Sequence, residues 1–206
     1  MTDKNDVIAP LAQPVMARRT TLRTLALGGL AAFAGTAASM PAAEAQVCPW
    51  PNGSLQEGWR WCSKCQGMFY ALASAGKGIC PADHQPHTDA GSGHYYERIG
   101  TDIANVQQGG WCWCSKCAGF FYGRASAGAG GMGICPRDGL PHTKSGSGAY
   151  AAVLGETATG QQGGWRWCQK CMGMWYASAT TNPKGVCPRD ANGHTQAGSG
   201  HYASLD

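Results

Sequence analysis

Apolar and polar positions alternate along this chain in short stretches with a period of two, and outside residues 24–40 no stretch carries a helical period. In Trp59-Arg60-Trp61-Cys62 the two tryptophans fall on one side of an extended segment, and Arg60 and Cys62 on the other. Met68-Phe69-Tyr70 predicts a second strand, Gly78-Ile79-Cys80 a third and His94-Tyr95-Tyr96 a fourth. The Cys-x-Lys-Cys between the first two is a tight turn, and Gly and Ser punctuate the rest.

The whole pattern recurs twice. Gly58-Trp59-Arg60-Trp61-Cys62-Ser63-Lys64-Cys65 is matched by Gly110-Trp111-Cys112-Trp113-Cys114-Ser115-Lys116-Cys117 and by Gly164-Trp165-Arg166-Trp167-Cys168-Gln169-Lys170-Cys171. Each copy continues with a Cys-Pro-x-Asp (Cys80 to Asp83, Cys135 to Asp138, Cys187 to Asp190), then a His-Thr at His87, His142 or His194. Each closes on Gly-Ser-Gly-x-Tyr at Tyr95, Tyr150 or Tyr202. From Cys62 to Cys114 to Cys168 the period is 52 and then 54 residues. Such self-similarity marks a repeat architecture. The expected fold is all-β: three tandem four-stranded repeats over 58–104, 105–158 and 159–206, after an N-terminal segment at 46–57. The short connectors 99–107 and 153–161 favour one pseudo-threefold body, β-trefoil- or prism-like. Independent zinc ribbons on a string are the alternative.

Residues 1–45 have the layout of an address and not of a domain. Arg18-Arg19 precede the apolar, Ala- and Gly-rich run 24–40, and Ala43-Glu44-Ala45 supplies a small-x-small cleavage pattern. This is the layout of a twin-arginine signal peptide, whose cargo crosses the membrane folded, although Thr20-Thr21-Leu22 after the pair departs from the usual Phe-Leu and leaves the general secretory route open. The run is too weak for a committed transmembrane helix, so no stable membrane insertion is expected after cleavage.

The chain beyond residue 45 is poor in ordinary core residues. It has 4 Ile, 5 Leu, 4 Val and 3 Phe, so something other than an aliphatic core must hold it together. Eleven Cys and eight Trp are the available staples. With 12 Lys/Arg against 9 Asp/Glu in the same stretch, the charge gives no reason to expect nucleic acid.

Each copy supplies Cys-x2-Cys, a single Cys, and Cys-x6-His. The sets are Cys62, Cys65, Cys80, His87; Cys114, Cys117, Cys135, His142; and Cys168, Cys171, Cys187, His194. Zn²⁺ favours four tetrahedral N/S donors, and Cys₃His closes a structural site, so three zinc ions per chain in zinc-knuckle-like repeats are expected. Gly67, Gly119 and Gly173 are expected to take positive φ and aim backbone N–H groups at sulfur. Lys64, Lys116 and Lys170 place positive charge beside the thiolates. Disulfides are the alternative in an oxidising compartment, but three Cys per copy is odd and leaves the His unexplained.

Two cysteines are left over, Cys48 and Cys112, and are expected to pair in a disulfide. His84 has no counterpart in the other copies, and copy two lacks a match for His94 and His201, so none is expected to bind metal. Asp83, Asp138 and Asp190 fit turn formation or a bond to the ligand His. Trp59, Trp61, Trp111, Trp113, Trp165 and Trp167 are core candidates first, and stacking platforms for sugar rings second. No nucleophile–base set or phosphate loop is present, which points away from an enzyme.

The string Gln162-Gly163-Gly164-Trp165-Arg166-Trp167-Cys168-Gln169-Lys170-Cys171, with Met174-Trp175-Tyr176 and Gly185-Val186-Cys187-Pro188, resembles a tandem repeat of secreted bacterial proteins, W-R-[FW]-C-x-K-C … G-x-C-P … H, found alone or appended to exported enzymes. The resemblance covers all three copies, and copy two departs from it at Cys112. It implies an extracytoplasmic module, periplasmic or extracellular. The expected function is non-enzymatic binding of a glycan or cell-envelope polymer, with zinc buffering or delivery, or a disulfide-stapled structural protein, as alternatives.

Overall fold

The computed structural model describes residues 53–124, 131–155 and 159–206. Among them there is no helix, and nine strands form one nearly closed, barrel-like sheet. Copy one supplies β1 (Leu55–Trp61), β2 (Met68–Tyr70) and β3 (Tyr95–Ile99). Copy two supplies β4 (Gln107–Trp113), β5 (Phe120–Tyr122) and β6 (Tyr150–Leu154). Copy three supplies β7 (Gln161–Trp167), β8 (Met174–Tyr176) and β9 (Tyr202–Leu205). The all-β, threefold expectation holds, and β1 begins inside the segment assigned to 46–57.

One strand per copy is corrected. Gly78-Ile79-Cys80 is loop and not strand, so each copy has three strands and not the four a trefoil needs. The reason is local: Gly78 lies at φ +65° and turns the backbone onto the next copy, where Ile79 N–H donates to the Cys117 carbonyl at 3.2 Å. The apolar Ile79 marks a contact between copies, which a period-two pattern mistakes for a strand.

Within each copy the first strand pairs antiparallel with the other two. A bulge at Gly58, Gly110 and Gly164, at φ +96°, +90° and +87°, shifts the register just before the first tryptophan. That tryptophan turns inward: Trp59, Trp111 and Trp165 are each 0 % exposed. They form one core with Tyr95, Tyr150, Tyr202, Met68, Phe120 and Met174. Aromatic burial thus replaces the missing aliphatic core, each ring covering roughly 150–250 Å².

The copies interlock cyclically, so the string-of-ribbons alternative does not apply. β3, β6 and β9 pair with one another. Tyr70 N–H donates to Ala118 O at 2.9 Å, Tyr122 to Met172 at 2.8 Å and Tyr176 to Gln66 at 2.8 Å, closing a second ring. The second tryptophans, Trp61, Trp113 and Trp167, are half-buried and rest on Tyr176, Tyr70 and Tyr122 of the preceding copy. A third ring runs through hydroxyls: Tyr202 donates to Gln108 Oε1 at 2.6 Å, Tyr95 to Gln162 and Tyr150 to Gln56.

The Gly-Ser-Gly that closes each copy also has a structural task. Ser92, Ser147 and Ser199 hydroxyls accept from the N–H of Trp61, Trp113 and Trp167 at 2.8–2.9 Å. The glycine after each serine lies against its tyrosine ring; a Cβ at Gly93 would sit 2.9 Å from Tyr95.

Candidate metal centre

Between the first and second strands of each copy, Cys62-Ser63-Lys64-Cys65 forms a knuckle. Gln66 N–H donates to Cys62 O at 2.7 Å, and Cys62 N–H to Gly67 O at 3.0 Å. The left-handed position is one residue earlier than expected: Gln66 (φ +64°), Ala118 (+60°) and Met172 (+63°) adopt it, while Gly67, Gly119 and Gly173 do not. The turn needs the kink directly after the second cysteine, and the glycine then presents its N–H; Gly67 N lies 3.4 Å from Cys65 Sγ. A left-handed non-glycine costs about 1–3 kcal/mol, so the surroundings must hold it.

The second half of each site is the Cys-Pro-x-Asp turn. Asp83 Oδ1 accepts Gln85 N–H at 3.1 Å, and His84 N–H donates to Cys80 O at 2.9 Å. The lysine inside the knuckle reaches across: Lys64 Nζ meets Asp83 at 2.7 Å and Pro86 O at 2.9 Å, and Lys116–Asp138 and Lys170–Asp190 repeat the pair at 2.7 and 2.8 Å. The aspartates therefore shape the turn and hold the lysine; they do not bond the histidine. Sequence reasoning treated lysine and aspartate separately and missed that they clasp the two halves of one site.

These elements bring all twelve expected ligands into three groups, one per copy, with the donor atoms of each group within 4.8 Å of one another. The Sγ–Sγ distances Cys62–Cys80, Cys114–Cys135 and Cys168–Cys187 are 3.9, 3.9 and 4.0 Å. Sγ–Nδ1 is 3.6 Å for Cys65–His87, Cys117–His142 and Cys171–His194. Bonds of about 2.3 Å to sulfur and 2.0–2.1 Å to nitrogen give tetrahedral edges of about 3.8 and 3.6 Å, so the groups fit zinc. A disulfide needs about 2.05 Å, which sets aside disulfide stapling within the copies. All ten described cysteines are unbridged, Cys112 among them, and its expected partner Cys48 lies outside the described residues.

Electrostatics point the same way. Hydrogen bonds from Cys65 and then Cys80 hold the Cys62 thiol far below the ordinary thiol range, and Cys114 and Cys168 behave alike. Cys80, Cys135 and Cys187 are pushed up to about 11, chiefly by hydrogen bonding to that first thiolate, and Cys65, Cys117 and Cys171 are held well above the ordinary thiol range by the same cause. Zinc binds the deprotonated thiols, so its binding displaces protons from the thiols held high and weakens in acid.

Each ligand histidine stacks on one aromatic ring. His87 stacks on Phe69 at 4.7 Å, His142 on Phe121 at 4.6 Å and His194 on Trp175 at 5.3 Å. Nδ1 faces the thiols, and Nε2 of His87 and His194 is buried with no protein partner. The other histidines keep away from metal: His94 Nδ1 meets the Arg60 guanidinium at 2.8 Å, and His84 is exposed.

Of the six tryptophans considered as sugar platforms, Trp59, Trp111 and Trp165 are fully enclosed and offer no surface. Comparison of the chain with models of protein families, with curated proteins and with solved structures finds no match.

Proposed function

We propose that the chain is the precursor of an exported, non-enzymatic protein of the periplasm or extracellular space, held together by three structural zinc ions and binding a glycan or cell-envelope polymer. The observation that carries the non-enzymatic reading is the closed donor set. Each group offers four protein ligands, the ligand cysteines are 0–2 % exposed, and no donor is missing for a substrate or water to supply. The same enclosure opposes zinc buffering or delivery, which needs ligands that an acceptor can reach. The leader at 1–45 lies outside the described residues; its layout and the resemblance to a secreted repeat support export.

With the inner tryptophans in the core, polymer binding falls to the rim. Copy one has a groove of about 460 Å³ whose lining includes Leu55, Glu57, Tyr70, Leu72 and Tyr96. Aromatic and aliphatic surface beside a carboxylate suits a sugar, which has an apolar ring face and a polar edge. The position of Leu72 is held by Arg124 and Ser178 in the other copies, so the groove belongs to copy one and the reading does not rely on threefold avidity.

Calorimetric titration of the zinc-loaded protein with soluble cell-wall glycan fragments should give binding that Tyr96→Ala weakens about tenfold, the loss of one aromatic stacking contact. No binding by any fragment, or equal binding by the variant, removes the polymer reading. Export has its own test: replacing Arg18 and Arg19 together by lysine should strand precursor in the cytoplasm, and unchanged export would point to the general secretory route.

A further inference from the structure

The groove on copy one continues past the bulge in β1. Its cavity of about 460 Å³ shares Glu57, Leu72 and Tyr96 with a second one of about 250 Å³, which adds Arg60 and His94. The register places Gln56 opposite Glu97 and Trp59 opposite Tyr95, so Glu57 and Gly58 together face Tyr96. The Gly58 carbonyl accepts Ala71 N–H at 2.8 Å, and a Cβ on Gly58 would lie 2.7 Å from Leu72, so Leu72 rests on the bulge. One bulge thus gathers a carboxylate, an aromatic ring and an aliphatic side chain where the two cavities meet.

Copies two and three have the bulge without these side chains. Gly109 and Gly163 stand in place of Glu57, Arg124 and Ser178 in place of Leu72, and Ala151 and Ala203 in place of Tyr96. Copy three keeps the basic pair as Arg166 and His201, whereas copy two has Cys112 and Ala149. The core and the metal centres, which all three copies share, therefore do not require the full set.

The basic pair is arranged to donate. Arg60 Nη1 donates to Trp59 O at 2.7 Å, and Nη2 meets His94 Nδ1 at 2.8 Å. A guanidinium has only donors, so Nδ1 accepts and the imidazole carries its proton on Nε2. These bonds leave further guanidinium N–H groups, and the Nε2–H of the exposed His94, for a ligand. Among the described residues Arg60 forms no ion pair, and Asp89, which feels its charge, is already held by Lys77 at 2.8 Å.

We propose that the second cavity selects the carboxylate of an acidic sugar, a hexuronic acid unit, with Arg60 and His94 donating to the carboxylate and Glu57 accepting from ring hydroxyls. The proposal rests on the polymer reading and narrows it. Three chemistries along the groove match one such unit: an apolar ring face for Tyr96 and Leu72, hydroxyl donors for Glu57, and a planar anion for the guanidinium. A neutral sugar leaves Arg60 without a counter-charge. A glycerol phosphate chain supplies the anion but no ring for Tyr96.

Calorimetric titration of the zinc-loaded protein with a short oligogalacturonate, its methyl ester and a glycerol phosphate oligomer tests this. The acid should bind about tenfold tighter than the ester, which keeps the ring and its hydroxyls and loses the charge. Arg60→Gln should remove that preference and leave ester binding unchanged. Arg166→Gln breaks the same bond to a tryptophan carbonyl in copy three and should keep the preference, which separates recognition from a structural role. Equal binding of acid and ester, or a preference that survives in Arg60→Gln, overturns the proposal. Tighter binding of the glycerol phosphate oligomer overturns it as well. Binding of neutral wall fragments but of neither galacturonate overturns the proposal alone, whereas binding of no probe at all removes the polymer reading with it.

Discussion

The metal-bearing turns and the strands β3, β6 and β9 are built from the same three copies, yet they treat the repeat differently. At the turns the copies are interchangeable: the same four donors, the same lysine–aspartate clasp, the same 3.6 Å between sulfur and imidazole. In the strands, the position two residues after the closing tyrosine holds Glu97, Ala152 and Ser204, all buried, with Ser204 Oγ donating to Glu97 Oε1 at 2.7 Å. Coordination tolerates no substitution, because each zinc needs all four donors. A packed interior accepts any side chain whose volume fits and whose polar atoms are paired, so the copies have been free to diverge there.

The largest effect should come from breaking the identical layer across a boundary between copies. A Cβ at Gly78 would lie 1.9 Å from the Cys117 carbonyl oxygen, and Gly133 and Gly185 meet Cys171 and Cys65 in the same way. Gly78 also has φ +65°, so Gly78→Ala combines a clash with strain and should cost about 3 kcal/mol or more. The damage should appear in the neighbour: copy two's zinc, held by Cys117, should be the first released to a chelator. If copy one's site leaks first, the copies do not interlock through Gly78.

A smaller effect separates the divergent layer. Burial pushes the Glu97 carboxyl up to about 8, the Ser204 hydroxyl only partly opposing it. The folded protein therefore holds a proton that the unfolded chain gives up near 4.5. The resulting stabilisation is complete below that value and fades as pH rises towards 8, at about 1.4 kcal/mol per pH unit in between. Glu97→Gln keeps the shape and removes the titration. Denaturation midpoints between pH 6.5 and 8.5, where zinc stays bound, should fall with pH for the native chain and stay flatter for the variant. Parallel profiles would mean that Glu97 is already ionised in the fold.

The same contrast explains what could be read from residues alone. The ligands were legible because zinc imposes spacing, and threefold recurrence lifts Cys-x2-Cys…Cys…His above accident. The all-β class was legible from Trp59-Arg60-Trp61 and its copies. Contacts between copies were not, since no local period encodes them. Ile79 looked like a strand residue because it is apolar, and its partner is the Cys117 carbonyl of the next copy. Gly67 looked like the kinked residue because glycine is the usual occupant of the left-handed region, yet the knuckle forces Gln66 there instead. The tryptophans read as core first and sugar platforms second, but that reading did not show that the outer three rest on tyrosines of another copy.

The central claim is that three metal ions, together with the buried aromatic rings, do the work of a missing aliphatic core. Metal content and accessible thiols, measured on protein purified from the compartment to which it is exported, test this most directly. The account predicts three zinc ions per chain, nine ligand thiols that react only after chelation, and loss of the β-sheet circular dichroism signal when the metal is stripped. Less than one metal per chain, with ligand cysteines paired in disulfides and the strands intact, would contradict it.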